Sequence, residues 1–225
     1  MMAKIPGGKV AYRVLHPRIA MSGYKIDNKV RNGLDLIAAL ERSGRSIEGA
    51  VTLEVGTGWA PVLPMLFWLL GQERCHTYDL NRLLFPPLVR SVARQLITLA
   101  RRPESRLNQV LAGKKSGMPG RRLDQMATLV EDGADHRAIL DACQVHYAAP
   151  ADAASTSLVE STIDVAFSNT VLEHVPPEQI LQIYTELYRV LKSDGCMMHL
   201  IDLSDHYSYS DRSISGINFF QFSRE

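Results

Sequence analysis

The sequence predicts an α/β fold of three layers around a mostly parallel sheet. Three observations carry the prediction. Short β-branched runs alternate with longer stretches of helical periodicity, the first run stops at Gly56-Thr57-Gly58, and the second ends in an acidic residue, Asp79, about twenty residues further on. A strand that breaks at two glycines and re-enters a helix brings backbone close to a ligand at the carboxyl edge of the sheet, and only glycine allows this without a Cβ in the way. The arrangement is Rossmann-like.

The elements follow in order. Residues 1–22, punctuated by Gly and Pro, read as an irregular arm. Residues 28–42 carry Val30, Leu34, Ile37 and Leu40 near helical spacing, and Ser43-Gly44 ends that helix. Residues 50–55 are a buried strand. The helix after it closes at Gly71, with Pro61 in its first turn, where a missing N–H costs nothing, and Pro64 less comfortably just inside. Residues 74–79 are the second strand. Residues 81–141 exceed what a strand–helix–strand crossover needs and read as a helical insertion. It contains helices over 87–102, 122–130 and 135–143 and a polar Gly/Pro/Lys-rich break over 103–120, and is either a cap over the site or a surface loop. Residues 144–148 are the third strand and 163–168 the fourth, with a small-residue loop between them. Pro176-Pro177-Glu178 opens a helix with Ile180, Ile183, Tyr184, Leu187, Val190 and Leu191 on one face, and Asp194-Gly195 turns the chain into a fifth strand over 196–203.

The chain has 225 residues, enough for a single domain with a sizeable core: arm and helix over 1–49, core over 50–203, and a segment on the substrate side over 204–225. A formal net charge of +1 gives no general attraction to nucleic acid or to an anionic membrane, and neither is expected as a partner. The pairs Arg101-Arg102, Lys114-Lys115 and Arg121-Arg122 read as solvated surface. No apolar stretch is long enough to span a bilayer. Three cysteines without a CxxC pair read as buried thiols and fit a cytoplasmic protein.

The chemistry gathers at strand ends. Glu54 precedes the glycine turn, and Asp79 can accept from both hydroxyls of a ribose. Two ligands satisfy this pattern, a nicotinamide or flavin dinucleotide and S-adenosyl-L-methionine. A pyrophosphate would meet the negative charge of Glu54, whereas a sulfonium and an ammonium would be complemented by it. Asp202-Leu203-Ser204-Asp205-His206 lies at the fifth strand's end, where two carboxylates and a histidine suit a general base or a metal; a lone DxxDH has no assured geometry, and no metal is assigned. His16, His76, His136, His146 and His199 show no metal-ligand spacing.

Glu54-Val55-Gly56-Thr57-Gly58 resembles the first motif of the class I S-adenosylmethionine-dependent methyltransferases. Asp79 matches the acidic residue after their second strand, and Asp152-Ala153 is similar to their Asp-Ala adenine-edge motif. The run from Ile163 through Ser168-Asn169-Thr170-Val171-Leu172-Glu173-His174-Val175 resembles the fourth-strand motif of their type 11 subgroup, and Tyr188-Arg189-Val190-Leu191-Lys192-Ser193-Asp194-Gly195 the turn before their fifth strand. The resemblance implies that Gly56, Thr57 and Gly58 line the methionine part of the cofactor and that Glu54 faces its amino group. Asp79 would hold the ribose, with Leu80 beside the adenine; Asp152 and Ala153 would read the adenine edge; Ser168 and Asn169 would border the methyl group. It implies methyl transfer; the aromatic and Asp/His content of residues 202–222 suits a small polar acceptor, and His206, Asp205 and His174, in that order, are the candidate bases. Tyr24 and Lys25 stand where they would close over the cofactor.

The sequence departs from the family in two places. The bulky Trp59 must cover the cofactor or enter the core. The family's sheet ends in a hairpin of strands six and seven, but only about twenty residues follow Leu203, too few for both, so the last strands are expected to be short or missing. The apolar tail this exposes would be covered by a homodimer. The rival readings are a non-catalytic cofactor-binding protein and, further off, an NAD(P)-dependent oxidoreductase.

Overall fold

The computed structural model describes residues 23–114, 116–209 and 211–222, so the N-terminal arm expected over 1–22 lies outside the described residues. Five strands, β1 (Val51–Val55), β2 (Arg74–Tyr78), β3 (Val145–Ala148), β4 (Ile163–Asn169) and β5 (Leu191–Leu200), form one sheet in the order β3-β2-β1-β4-β5. Every pairing is parallel. Strand order reverses at β1, so the connections that leave the carboxyl ends of β1 and β4 run to opposite sides and leave a crevice there. Among the described residues no strand follows β5; two short 3-10 turns, His206–Tyr209 and Asn218–Gln221, occupy that segment.

The helices divide unequally between the two faces. One face carries α1 (Asp27–Arg42), α2 (Val62–Leu69), α3 (Pro86–Arg101), α4 (Arg106–Ala112), α5 (Met118–Glu131) and α6 (His136–Ala142), joined in one hydrophobic core. The other face carries α7 (Pro177–Val190) and a smaller core around Leu53, Val55, Ala166, Ile183 and Leu187. The link from β3 to β4 contains no helix. This second face is therefore thinly covered, and the space left beside α7 opens onto the crevice.

α1 buries Val30, Leu34, Ile37 and Leu40, the stripe its spacing predicted. α2 is buried all round. It starts at Val62, so Pro61 precedes it and Pro64 falls in its first turn, where no backbone donor is lost; this removes the expected discomfort. Its carbonyl end is closed by α5: Arg122 donates to the carbonyl oxygens of Trp68 and of Gln72 (2.7 Å) and lies 5.0 Å from the Trp68 ring centroid. Arg122 is thus not the solvated surface residue expected, because an apolar helix with no polar side chain of its own needs a donor from elsewhere.

The insertion is neither cap nor loose loop. α3 packs against α2, α4, α5 and α6, and α6 against β3, so these helices thicken one face of the sheet. The break expected over 103–120 holds α4, whose first turn is capped by Ser105 accepting from Asn108 N–H at 3.0 Å. β5 begins earlier than expected. Its register on β4 jumps from Ile163 opposite Leu191 to Val165 opposite Cys196, and residues 192–195 bulge out there, with Lys192 held to Asp164 at 2.7 Å.

Phe67 on α2 meets Phe167 on β4 with ring centroids 4.9 Å apart, and both are fully buried. Phe67→Ala is expected to cost about 3–5 kcal/mol, read as a lower denaturation midpoint at unchanged denaturant slope. A loss below about 1 kcal/mol would show that this contact does not join helix to sheet.

Candidate functional site

A cavity of about 600 Å³ occupies the crevice at the carboxyl ends of β1, β2 and β4, a size suited to a nucleoside-sized ligand. Gly56 sits at its back with φ +80°, and a Cβ there would fall 2.6 Å from Val171 Cγ2 in the segment after β4. The two strand ends can approach only because Gly56 has no side chain. Gly58 has φ +69° and, by contrast, a Cβ on it would meet no protein atom within 4 Å. That clear space faces the cavity, which Gly58 lines.

Asp79 links the walls. Its carboxylate accepts from Gly58 N–H at 3.1 Å and lines the cavity. Burial pushes its carboxyl up from the ordinary range, opposed by the Gly58 N–H and the Tyr147 hydroxyl. The Tyr147 hydroxyl also accepts from the N–H groups of Leu83 (3.1 Å) and Leu84 (3.2 Å), which fixes the loop after β2. From that loop Leu80, 61% exposed, together with Asn81 and Leu83, forms one side of the cavity. Residues 151–154 form another side, where Asp152 Oδ1 accepts from Ala154 N–H at 2.8 Å and shapes the turn. Gln179, Gln182 and Ile183 of α7 close the thin face. Trp59 does both things asked of it, lining the cavity and packing against the larger core.

Of the cofactor residues named from sequence, Gly56, Gly58, Asp79, Leu80, Asp152 and Ala153 line this cavity. Glu54, Thr57, Ser168 and Asn169 do not. Strand alternation turns Glu54 onto the helix-rich face, where it is 4% exposed and accepts from Thr77 Oγ1 at 2.8 Å; Thr57 is bonded to the same threonine. Burial pushes the Glu54 carboxyl up to about 8 even with the Lys29 ammonium nearby, so the group is largely protonated at neutral pH. The expected carboxylate facing a ligand ammonium is therefore replaced by a buried acid behind the glycine turn. Ser168 is bonded to His199 Nδ1 at 2.9 Å and Asn169 to Asn32 at 3.0 Å, each committed inside the fold. Tyr24 packs against the core and Lys25 is exposed; neither lines the cavity.

Of the expected bases, His174 lines the cavity and His206 meets its ring edge-on with centroids 5.2 Å apart. Asp205 lies off the cavity and serves a turn, accepting from Tyr207 N–H at 2.9 Å and from Asn218 at 3.3 Å. Lys29, half-buried and flanked by Glu54 and Asp79, escaped the sequence reading, as did Thr77, Tyr147 and Val171. Thr77 alone was within reach, since it stands two residues before Asp79 on the same strand and its side of the sheet follows from alternation.

Residues 124–199 match the profile of the family described as methyltransferase domain, about a third of the chain. The match begins after the glycine turn and Asp79. No curated protein matches the chain. Among solved structures, a putative sarcosine dimethylglycine methyltransferase from Galdieria sulphuraria is 15% identical with TM-score 0.44, covering 84% of this chain and 55% of its own. A TehB-like SAM-dependent methyltransferase from Corynebacterium glutamicum is 14% identical with TM-score 0.43, covering 87% and 73%. An S-adenosylmethionine-dependent methyltransferase from Mesorhizobium loti is 14% identical with TM-score 0.40, and this chain spans 52% of its length.

The raised Glu54 carboxyl gives a pH test. From an ordinary value of 4.5 upward, the unfolded chain releases this proton before the folded protein does, so stability falls with rising pH and the fall levels off above about 8. Glu54→Gln cannot ionise and should gain in melting temperature relative to the parent as pH rises from about 5 to 8. A difference that stays flat with pH would contradict a protonated Glu54.

Proposed function

We propose that this chain, whose residues 124–199 match the methyltransferase-domain family, binds S-adenosyl-L-methionine in the crevice and methylates a small polar acceptor. The observation that carries the reading is the charge of the wall. Asp79, Asp152, His174 and the phenol of Tyr78 are its ionisable groups, and no lysine or arginine stands among the described lining residues. A diphosphate would find no cation there and two acids, whereas a cationic nucleoside with ribose hydroxyls and an adenine amine finds acceptors. This supports the sulfur nucleoside over NAD(P)H.

The remaining assignments follow the geometry. Asp79, tied to Gly58, would accept from the ribose hydroxyls; Leu80 would lie against the adenine, with Asp152 and Ala153 at its edge. Gly56 and Gly58 leave room for the methionine part. The bound cofactor supplies a methyl group already activated on a sulfonium, so the protein's task is alignment and exclusion of water. His174, which lines the cavity, would meet the acceptor, with His206 in contact with its ring. Among the described residues no helix is long and apolar enough to cross a membrane, and Cys75, Cys143 and Cys196 are free thiols; both fit the cytoplasmic location proposed here. The exposed Leu203, Phe220 and Phe222 are the surface on which the expected homodimer would close.

S-adenosylhomocysteine at about 100 times its Kd is expected to stabilise the protein by about 2.7 kcal/mol, seen as a higher melting temperature, with no shift from NADH. Absence of any shift at saturation would reject the reading. Asp79→Ala should weaken this binding about 10- to 100-fold through loss of charge-assisted hydrogen bonds, whereas His206→Ala should leave it unchanged. Equal losses would mean that the ribose site is misplaced.

A further inference from the structure

Two loops separated in sequence converge at the open side of the crevice. The 3-10 turn Leu172–His174 after β4 presents Glu173 and His174, and the 3-10 turn His206–Tyr209 after β5 brings His206 against them. One ligand-type atom of each of Glu173, His174 and His206 lies within 4.8 Å of the other two. Both carboxylate oxygens of Glu173 are shielded from water, and neither accepts a hydrogen bond from any described residue. A shielded carboxylate without a donor is costly, and such groups in folded proteins are paired or coordinate a cation. The neighbours able to share one are two imidazoles, which as neutral rings act as ligands.

We propose that Glu173, His174 and His206 hold a divalent transition-metal ion, with zinc as the best match to two imidazoles and one carboxylate. Three protein ligands leave a fourth position open, as in catalytic rather than structural zinc sites. Because His174 lines the cavity, that position faces the side from which a methyl acceptor would enter. An acceptor hydroxyl bound there gives up its proton to solvent far more readily than a free one, and no separate base is required. Asp202 supports the arrangement. Its carboxylate lies 3.4 Å from His206 Nε2 and is held by Ser204 Oγ at 2.6 Å and by the Tyr209 hydroxyl, placing a fixed acid beside a ligating imidazole. The ring of Tyr209 stacks on His206 with centroids 5.2 Å apart. The DxxDH segment noted in the sequence thus contributes His206 as a ligand and Asp202 as its support, whereas Asp205 belongs to a turn. The role of the ion toward an acceptor rests on the methyl-transfer reading; its binding does not.

The test titrates the full chain, stripped with a chelator, with Co²⁺ and then Zn²⁺. One equivalent per chain is expected, with visible cobalt bands of nitrogen and oxygen ligation and no thiolate charge-transfer band. Glu173→Gln, His174→Asn and His206→Asn each alter a ligand itself and should weaken uptake by more than the roughly 10- to 100-fold that loss of an outer-shell partner costs. S-adenosylhomocysteine affinity, measured calorimetrically on the same metal-free samples, should stay at the parent value for Glu173→Gln and His206→Asn. His206 lies on an exposed turn, so its variant tests the site even if Glu173→Gln fails to fold. Uptake below one equivalent in the parent, a thiolate band, or uptake unchanged in the His206 variant overturns the site. Metal uptake through these residues by a parent that does not bind S-adenosylhomocysteine upholds the site and removes its role in methyl transfer.

Discussion

Asp79 accepts from the N–H of Gly58 across the ends of two neighbouring parallel strands, and the crevice depends on that tie. Between β1 and α2 the chain passes through two left-handed residues, Gly56 and Gly58, which bend it sharply and leave their N–H groups pointing away from the helix. Gly56 N–H is taken up by Tyr78 carbonyl at 2.9 Å and Gly58 N–H by the carboxylate one residue later, so β2 holds the whole turn. The far side of the turn is then set by contact: Val171, in the segment after β4, occupies the volume a Cβ on Gly56 would need. Hydrogen bonds on one side and close packing on the other fix the opening where strand order reverses.

The second determinant is the unequal clothing of the sheet. Six helices bury one face, including the four that separate β2 from β3, while α7 and a helix-free loop cover the other. Burial of the first face supplies the stability, with the all-apolar α2 at its centre and Arg122 satisfying that helix's carbonyl end. The thin second face supplies room. Residues 151–154, Gln179 and Gln182 border the cavity on this side.

Electrostatics follow the same division. Glu54, on the crowded face, is desolvated and keeps its proton, and its neighbour Lys29 is pulled toward neutrality by burial while Glu54 and Asp79 resist that shift. Acidic groups on the open side, Asp79 and Asp152, are the ones a ligand meets. The proposed preference for a cationic nucleoside therefore rests on the wall of the cavity and not on the acid nearest the glycine motif.

Hydrophobic periodicity and glycine placement determined the strands, three helices of the insertion, the glycine turn and the position of Asp79 at the end of the second strand, because these are local patterns of spacing and backbone freedom. Three helices of the insertion were legible in this way. α4 was not, since Arg106–Ala112 has one buried residue, Leu107, and so too little periodicity to register. Strand alternation already contained the fate of Glu54, but which face would be crowded with helices is a property of topology, and burial there decides its charge. The meeting of Glu173 and His174 with His206 likewise had no local trace: parallel strands β4 and β5 carry their following loops to the same edge of the sheet, and only the folded sheet brings those imidazoles together.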